Sequence, residues 1–176
     1  MENNQPKTGK IALKYGIILG VIGIVFNLML YSQDLHYQID LSRLFITIII
    51  SISMIVIAAI FAMKEFKKTN NGFMSFGQGM KIGIGLSLIS GIIGIIFGFI
   101  LAEVIDPDMQ EKAIEYGIST MREAGMTEEQ INKQMEGQRD PNIPLQIGMG
   151  LIFSIVMGFI GSLIPALILK KEEDTY

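Results

Sequence analysis

Cysteine is absent from the sequence, and histidine occurs once, as His36. Without cysteine the chain can form no disulfide and offers no thiolate to a substrate or a metal ion. A zinc or iron centre would have to rest on carboxylates, which suit harder cations better. Charged residues are also scarce, at 18% of the 176 residues. From these absences we predict no metal site, no cofactor and no catalytic residue.

Long apolar segments, in contrast, are abundant. Hydrophobic residues make up 50% of the chain and the mean hydropathy is +0.47, which is high for a soluble domain. Four segments contain no charged residue, at residues 15–31, 44–63, 82–102 and 145–169. A membrane-spanning helix needs about 20 apolar residues, whereas an apolar run of about 10 to 14 residues is typical of a buried soluble helix. The sequence therefore predicts one all-α domain over residues 1–176, an integral membrane four-helix bundle surrounded by the lipid bilayer.

The first apolar segment has a second interpretation, as a cleaved signal peptide, because Lys7, Lys10 and Lys14 precede it. Its 17 residues exceed the apolar region of a signal peptide, which has about 7 to 15 residues. The sequence LMLYSQD at its end also lacks the small-x-small pattern of a cleavage site. We therefore predict a true membrane span.

Lysine and arginine are distributed unevenly among the connections. Three precede the first span, four lie in residues 64–81 and two follow the fourth span, whereas residues 32–43 contain one. Residues 103–144 contain four basic residues but ten acidic ones. The positive-inside rule then predicts cytoplasmic N- and C-termini and an extracytoplasmic position for residues 103–144.

The glycine-rich start of the third span resembles a phosphate-binding loop only superficially. Gly77, Gly79 and Gly83 are spaced one residue too widely for a dinucleotide fingerprint. The segment also follows no strand, because Ser75 and Gln78 form the pattern of a capping box that opens a helix. We therefore predict no nucleotide site, and no nucleic-acid partner either.

Small residues instead align on one face of each predicted span, at the helical repeat of about 3.6 residues. The members are Gly16, Gly20, Gly23 and Asn27 in the first span, Thr47, Ser51, Ala58 and Ala62 in the second, Gly79, Gly83, Ser87, Ser90, Gly91, Gly94 and Gly98 in the third, and Gly150, Ser154, Gly158, Gly161 and Pro165 in the fourth. Helices in lipid associate through close backbone approach, which small residues permit. The stripes predict tight packing, with one stripe open to a second copy of the chain.

Polar side chains within the spans are few, and none of the spans carries a charge at its middle. Proton-coupled transporters and cation pores usually need such groups, although backbone carbonyls of a broken helix can replace them. We predict that Asn27 hydrogen-bonds to a neighbouring helix rather than to a substrate. Pro165 is expected to kink the fourth span.

An extracytoplasmic hairpin of two short helices is predicted between the third and fourth spans, over about residues 106–138. The first helix should begin with Asp106 as N-cap and Pro107 in the first helical position. It should end at Gly125.

The second helix of this hairpin is predicted to begin at a capping box formed by Thr127 and Gln130 and to end at Gly137. Two proline-containing dipeptides, Asp140-Pro141 and Ile143-Pro144, should then force an extended return into the fourth span. Apolar residues of the hairpin provide a thin face for the bundle, the membrane surface or a partner.

Carboxylates of the hairpin permit two further interpretations. Asp106, Asp108 and Glu111 are close enough in sequence to suggest a calcium or magnesium site, but they form no Asp-rich loop with a glycine turn. Paired carboxylates for acid–base hydrolysis would need a cleft, which two short helices scarcely provide. We favour a solvated, charged helix face.

Several short motifs are similar to those of a family of small bacterial membrane proteins of unknown function with four predicted spans. The motifs are Lys14-Tyr15-Gly16, Ser75-Phe76-Gly77, Asp106-Pro107-Asp108 and the sequence GMTEEQI at residues 125–131. The resemblance covers nearly the whole chain. It implies a multi-pass protein of the bacterial inner membrane and supplies no activity, substrate or site residue.

Three functions remain compatible with the sequence. We expect a non-catalytic accessory or assembly subunit that binds an unknown membrane protein through helix packing and its acidic hairpin. A small homo-oligomeric transporter or channel is the alternative. A lipid-modifying enzyme is a third, which would have to use His36 with Asp34 or Asp40 in a short outer loop, and a lone exposed histidine is more often merely solvated.

Overall fold

A computed structural model describes residues 7–38, 40–139 and 142–172. The described residues form six α-helices and no strand, apart from an isolated bridge between Met74 and Lys171. The helices are α1 (Thr8–Tyr31), α2 (Leu41–Thr69), α3 (Phe76–Ile100), α4 (Met109–Glu123), α5 (Glu128–Arg139) and α6 (Ile143–Leu169). A π-helical segment, Leu101–Ile105, continues α3. The predicted all-α fold is confirmed.

Four of these helices, α1, α2, α3 with its π-helical extension, and α6, are long and apolar enough to cross a membrane. Their charge-free blocks lie within longer helices, so the chain is a multi-pass membrane protein by length and composition. In α2, for example, the helix begins after Asp40, whose side chain accepts a hydrogen bond from the Arg43 backbone N–H. It ends with Lys67 and Lys68, whose charges stabilise the helix C-terminus.

The α3 and α6 helices meet along two facing stripes of small residues. A Cβ added to Gly79 would lie 2.9 Å from the Cβ of Ala166, and one added to Gly158 would lie 2.7 Å from the Cβ of Ser87. Gly83 is similarly closed off by Ser162. Only hydrogen at these positions allows the two backbones to come so close, as the stripe pattern predicts.

Two further interfaces use glycine to receive a branched side chain. Gly20 of α1 lies against Ile93 of α3, where an added Cβ would be 2.7 Å from the isoleucine Cδ1. Gly161 of α6 receives Ile55 of α2 in the same way. In the predicted stripe of α2, Ala62 is buried whereas Thr47 is exposed, and the contact with Gly161 is made by Ile55.

The buried core lies toward one end of the bundle. We call this the basic end, because it contains the start of α1, the connection between α2 and α3, and residues 170–172. The largest fully buried side chains of the four long helices and of the α2–α3 connection lie there, and they are Phe66, Met63, Met74, Ile82, Leu86 and Ser162.

Polar contacts close the basic end. Met74 and Lys171 exchange two backbone hydrogen bonds of 2.8 and 2.9 Å, which fix the end of α6 to the α2–α3 connection. Lys14 of α1 forms an ion pair with Glu65 of α2, with 2.6 Å between Nζ and Oε2. The Tyr15 hydroxyl donates a 2.8 Å hydrogen bond to the same carboxylate.

At the opposite end, which we call the acidic end, α4 and α5 pack against each other. Gly125 has a φ of +79° and joins them in a Schellman turn, in which its N–H donates to the Arg122 carbonyl and the Met126 N–H donates to the Met121 carbonyl. Glycine is needed at this left-handed position.

The second helix of this pair, α5, begins as predicted. The Thr127 N–H donates to Oε1 of Gln130 at 2.9 Å, and the Gln130 N–H donates back to the threonine hydroxyl at 3.4 Å. Ile131 and Met135 of α5 are buried, so the hairpin carries a small core of its own.

Helix boundaries on the acidic end differ from prediction in three places. Asp106 is not an N-cap, because α4 begins at Met109 and the Asp106 side chain binds His36 and Lys112. The α5 helix continues through Gly137, a residue that an exposed helix tolerates at a cost of about 1 kcal/mol. The dipeptide Ile143-Pro144 is not extended but begins α6, where proline in the first turn leaves no backbone donor unpaired. The dipeptide Asp140-Pro141 lies outside the described residues.

Asn27 also differs from prediction. Its side-chain amide donates a 2.9 Å hydrogen bond to the Gly23 carbonyl of its own helix rather than to a neighbouring one. The side chain is exposed on the surface of α1. Pro165 is buried within α6.

Candidate functional site

The acidic end contains a cluster of three ionisable side chains drawn from different segments. Nε2 of His36, in the connection between α1 and α2, lies 2.8 Å from Oδ2 of Asp106, at the end of the π-helical segment. Nζ of Lys112 in α4 lies 2.7 Å from Oδ1 of the same carboxylate. Both oxygens of Asp106 are thus bound, and the carboxylate joins three parts of the chain.

Burial and charge reinforce this cluster. The His36 and Asp106 side chains are 1% and 7% exposed, whereas Lys112 is 40% exposed. The hydrogen bond from Lys112, followed by that from His36, lowers the pKa of the Asp106 carboxyl, although burial opposes this effect. The Asp106 carboxylate in turn raises the pKa of Lys112. The pair therefore remains charged over a wide pH range.

Aromatic rings enclose the histidine. The rings of Tyr31 and Tyr37 both contact His36 edge to face, with centroids 5.0 Å away in each case. Its Nδ1 atom is buried without a hydrogen-bond partner in the described part of the chain. The expectation of a solvent-exposed histidine is therefore wrong, because the loop folds back over the end of the bundle.

A second link joins α4 to the start of α2. The Tyr116 hydroxyl donates a 3.1 Å hydrogen bond to Oδ2 of Asp40, and Nε of Arg43 lies 3.3 Å from the same oxygen. The Arg43 backbone N–H, more than the Tyr116 hydroxyl, lowers the pKa of the Asp40 carboxyl. His36 therefore pairs with Asp106 rather than with Asp40 or Asp34, the two carboxylates that the sequence suggested.

The carboxylates of α4 do not assemble into a cation site. The Asp106 carboxylate is engaged by Lys112 and His36, while Asp108 and Glu111 are exposed. Within the described ranges, no three His, Asp or Glu side chains converge in a way that could hold a metal ion.

A cavity of about 580 Å³ lies beside the ionised cluster. Its size is within the range of small-ligand sites, about 300 to 1,000 Å³. The walls come from the end of α3, the start of α4 and the start of α6, and include Ile95, Phe99, Met109, Ala113, Ile143 and Ile147. Glu103 is the one charged residue among the described residues that line it.

The π-helical segment forms part of this wall. The Asp106 N–H donates to the Leu101 carbonyl at 2.8 Å, five residues earlier, instead of continuing the α-helical pattern. The extra residue in the turn places Ala102 and Glu103 at the cavity and carries Asp106 to His36. Such π-bulges occur frequently at functional sites.

The sequence did not reveal Lys112, Glu103 or the cavity as parts of a site. Lys112 and His36 are 76 residues apart in the sequence, and each lies in a segment rich in charge or loop residues, so neither stands out. One signal was present, since Glu103 directly follows the charge-free block at residues 82–102 and so marks a carboxylate at the end of a span.

Comparison with known proteins gives one match. No curated protein and no solved structure matches the chain. The family described as "Protein of unknown function (DUF4199)" has a model that matches residues 14–171, which include all four long helices from residue 14 onward and the ionised cluster. This match confirms the resemblance to a family of unknown function. The chain belongs to the DUF4199 family.

Proposed function

We propose that the protein is a non-catalytic accessory or assembly subunit in the inner membrane of a bacterium, and that it binds another membrane protein through α4 and α5. The observation that carries the proposal is the way this hairpin is held. It has its own small core around Ile131 and Met135, and two polar links fix it to the bundle. A rigidly presented helix pair is suited to recognition.

The charge of the hairpin indicates the chemistry of the partner. Residues 103–144 carry six more acidic than basic side chains. Glu111 and Glu115 are four residues apart and exposed, so they share one solvent-facing surface of α4. This surface would attract a basic patch on the partner and would repel nucleic acid.

The proposed orientation has both termini in the cytoplasm and the hairpin outside. Its support is the concentration of lysine at the basic end of the bundle. Because the chain has no native cysteine, single cysteines at Ser119 and Thr69 would report the two sides separately. A membrane-impermeant thiol reagent should label Ser119→Cys in intact cells, and Thr69→Cys only after the cells are broken.

Support for a non-catalytic role comes from the cluster of His36, Asp106 and Lys112, the residue types of which would also suit acid–base catalysis. His36 is enclosed by two tyrosine rings and engaged by Asp106, so its imidazole does not face a solvent-accessible cleft. A general acid or base must be within hydrogen-bond reach of its substrate. The cluster thus serves to hold α4 in place.

The test is the mass of the particle that the native protein forms in mild detergent. We expect wild-type protein extracted from its own membrane to run as a complex larger than the chain. The double variant Glu111→Gln, Glu115→Gln should release it, whereas Glu172→Gln, at the opposite end of the bundle, should leave the complex intact. Recovery of wild-type protein as a lone monomer would contradict the proposal.

A homo-oligomeric transporter or channel is the second candidate, favoured by glycines that leave open space beside them in the described part of the chain. Cβ atoms added to Gly23, Gly94 and Gly98 would meet nothing within 4 Å among the described residues. A second copy could pack there. If so, purified protein alone should form an oligomer and support solute flux in reconstituted vesicles, and both results would be independent of Glu111 and Glu115.

A further inference from the structure

The cavity at the acidic end joins two kinds of surface. Its apolar wall is formed by α3 and α6, two of the candidate membrane spans, and it includes Phe99 and Ile147. The neighbouring side chains Ile96 and Ile100 are exposed on the outside of α3. The cavity wall therefore adjoins, on the same helix, a surface that faces lipid in a multi-pass protein.

Glu103 is the charged residue of the cavity wall, which also includes the polar residues Gln110 and Gln146. Its carboxylate has no hydrogen-bond or ion-pair partner among the described residues. The nearest cation in sequence beyond it, Lys112, is engaged by Asp106 at 2.7 Å. A carboxylate within a candidate span is costly unless it is paired, hydrated or used in function.

The backbone also helps to place Glu103, an exposed residue, at the edge of the cavity. Glu103 is the third residue of the five-residue π-helical segment, so its direction depends on the local change in helical register. With regular α-helical hydrogen bonding the residue would rotate around the helix axis, since each added residue turns the helix by about 100°. Single π-helical turns are found frequently at functional sites, where they orient a side chain.

We propose that the cavity binds an amine-bearing lipid of the surrounding bilayer, with its acyl chain against α3 and α6 and its ammonium group paired with Glu103. The match is one of charge and polarity, because a mostly apolar wall that carries a single charged residue, a carboxylate, suits an apolar chain that ends in a cationic donor. An anionic lipid would place like charges together and would be excluded. Binding at this site is independent of any protein partner of the exposed α4 surface.

The experiment uses full-length protein in vesicles of phosphatidylglycerol that contain a small fraction of photoactivatable phosphatidylethanolamine. A matched set contains photoactivatable phosphatidylglycerol with the label at the same position of the acyl chain. After irradiation, mass spectrometry of peptides locates the adducts. We expect the ethanolamine lipid to label the α3, α4 and α6 segments that line the cavity, in clear excess over the glycerol lipid.

Two variants test the role of the Glu103 charge and of the cavity volume. Glu103→Gln should reduce the ratio of ethanolamine-lipid to glycerol-lipid labelling by about tenfold. This is the order of magnitude expected for loss of one charge-assisted hydrogen bond. Ala113→Phe places a large ring in the cavity and should remove the adducts there. Glu129→Gln, an exposed carboxylate of α5, is the matched control and should leave labelling unchanged. Thermal unfolding of each variant verifies that it is folded, and Glu103→Gln by itself decides the question if Ala113→Phe is unstable.

Two results would overturn the proposal. Equal labelling of the cavity by both lipids, unaffected by Glu103→Gln, would show that the head group is not recognised. Adducts spread over the lipid-facing surfaces of α2 and α6, without enrichment at the cavity, would show that the site does not retain lipid.

Discussion

The basic and acidic ends of this bundle are built on different principles. At the basic end glycine and small residues bring α3 against α6 and α1 so closely that little space remains. Toward the acidic end, a Cβ added to Gly94 or Gly98 of α3 would meet no described atom within 4 Å, a cavity lies between α3 and α6, and polar side-chain contacts hold the surrounding segments together. The difference indicates that the basic end is the more closely packed part of the bundle, and it motivates our proposal that the acidic end is the part that binds.

A substitution that disturbs the helix packing of the basic end should have the largest effect on stability. In Gly83→Ala the new methyl group would meet the buried Ser162 side chain, so one of the two helices must move. We expect the free energy of unfolding to fall by about 1 to 3 kcal/mol, as for overpacked cores. Thermal or denaturant unfolding in detergent measures this change.

The matched substitution lies on the same face of α3, toward the acidic end. In Gly94→Ala the methyl group would meet nothing within 4 Å among the described residues. Because alanine favours helix over glycine by up to about 1 kcal/mol, this variant should be as stable as wild type or slightly more stable. Equal destabilisation by both alanines would contradict the distinction between the two ends.

Breaking the ionised cluster should have a smaller and more local effect. Asp106→Asn removes the charge that holds both His36 and Lys112. We expect faster amide hydrogen exchange in α4 and a thermal midpoint lower by a few degrees, with little change in exchange at the basic end. The control is Asp108→Asn, two residues away, because that carboxylate is exposed and makes no capping hydrogen bond.

The same cluster predicts a pH dependence, measured as the difference in thermal midpoint between wild type and Asp106→Asn. The pKa of Asp106 is lowered in the native state, so its contribution is complete above the ordinary aspartate pKa of about 3.9 and is lost as the pH falls through the lowered value. The pKa of Lys112 is raised, so its contribution is complete below about 10.4 and is lost as the pH rises through the raised value.

The difference in thermal midpoint should therefore be constant around neutral pH and should shrink toward both extremes. A difference that persists unchanged in acid would show that the ion pair does not stabilise α4.

The smallest expected effect is at the tip of the acidic end. Thr127→Ala removes the capping box that begins α5 and should cost about 1 kcal/mol within the hairpin. Proteolysis within α5 should become faster while the thermal midpoint of the bundle stays constant. A Thr127→Ser variant retains the hydroxyl and should behave as wild type.

Sequence reasoning was most successful where structure depends on neighbours in the chain. The capping boxes at Ser75 and Thr127, the turn at Gly125 and the small-residue contact between α3 and α6 all follow from local spacing. Each needs only a helical repeat or a few adjacent residues to be visible.

The contacts of the acidic end were harder to predict from the sequence, because they join residues that are distant in it. The position of Asp106 before Pro107 is typical of a helix cap, but in the fold its carboxylate binds Lys112 and His36 instead. The π-helical turn has no sequence signature that distinguishes it from the end of α3. His36 was expected at the surface because a connection of this length is usually solvated, and only the fold reveals the tyrosines that cover it.

The measurement that tests the central claim most directly compares the two ends of the bundle as sites of association. A photo-crosslinking residue is placed at Ser119, on the exposed side of α4, and in a second protein at Thr69, exposed at the basic end. We predict a specific protein adduct from Ser119 that disappears in the Glu111→Gln, Glu115→Gln background and survives Glu172→Gln, with no equivalent adduct from Thr69. The same adduct from both positions, or an adduct from Ser119 that is indifferent to the α4 carboxylates, would contradict the account.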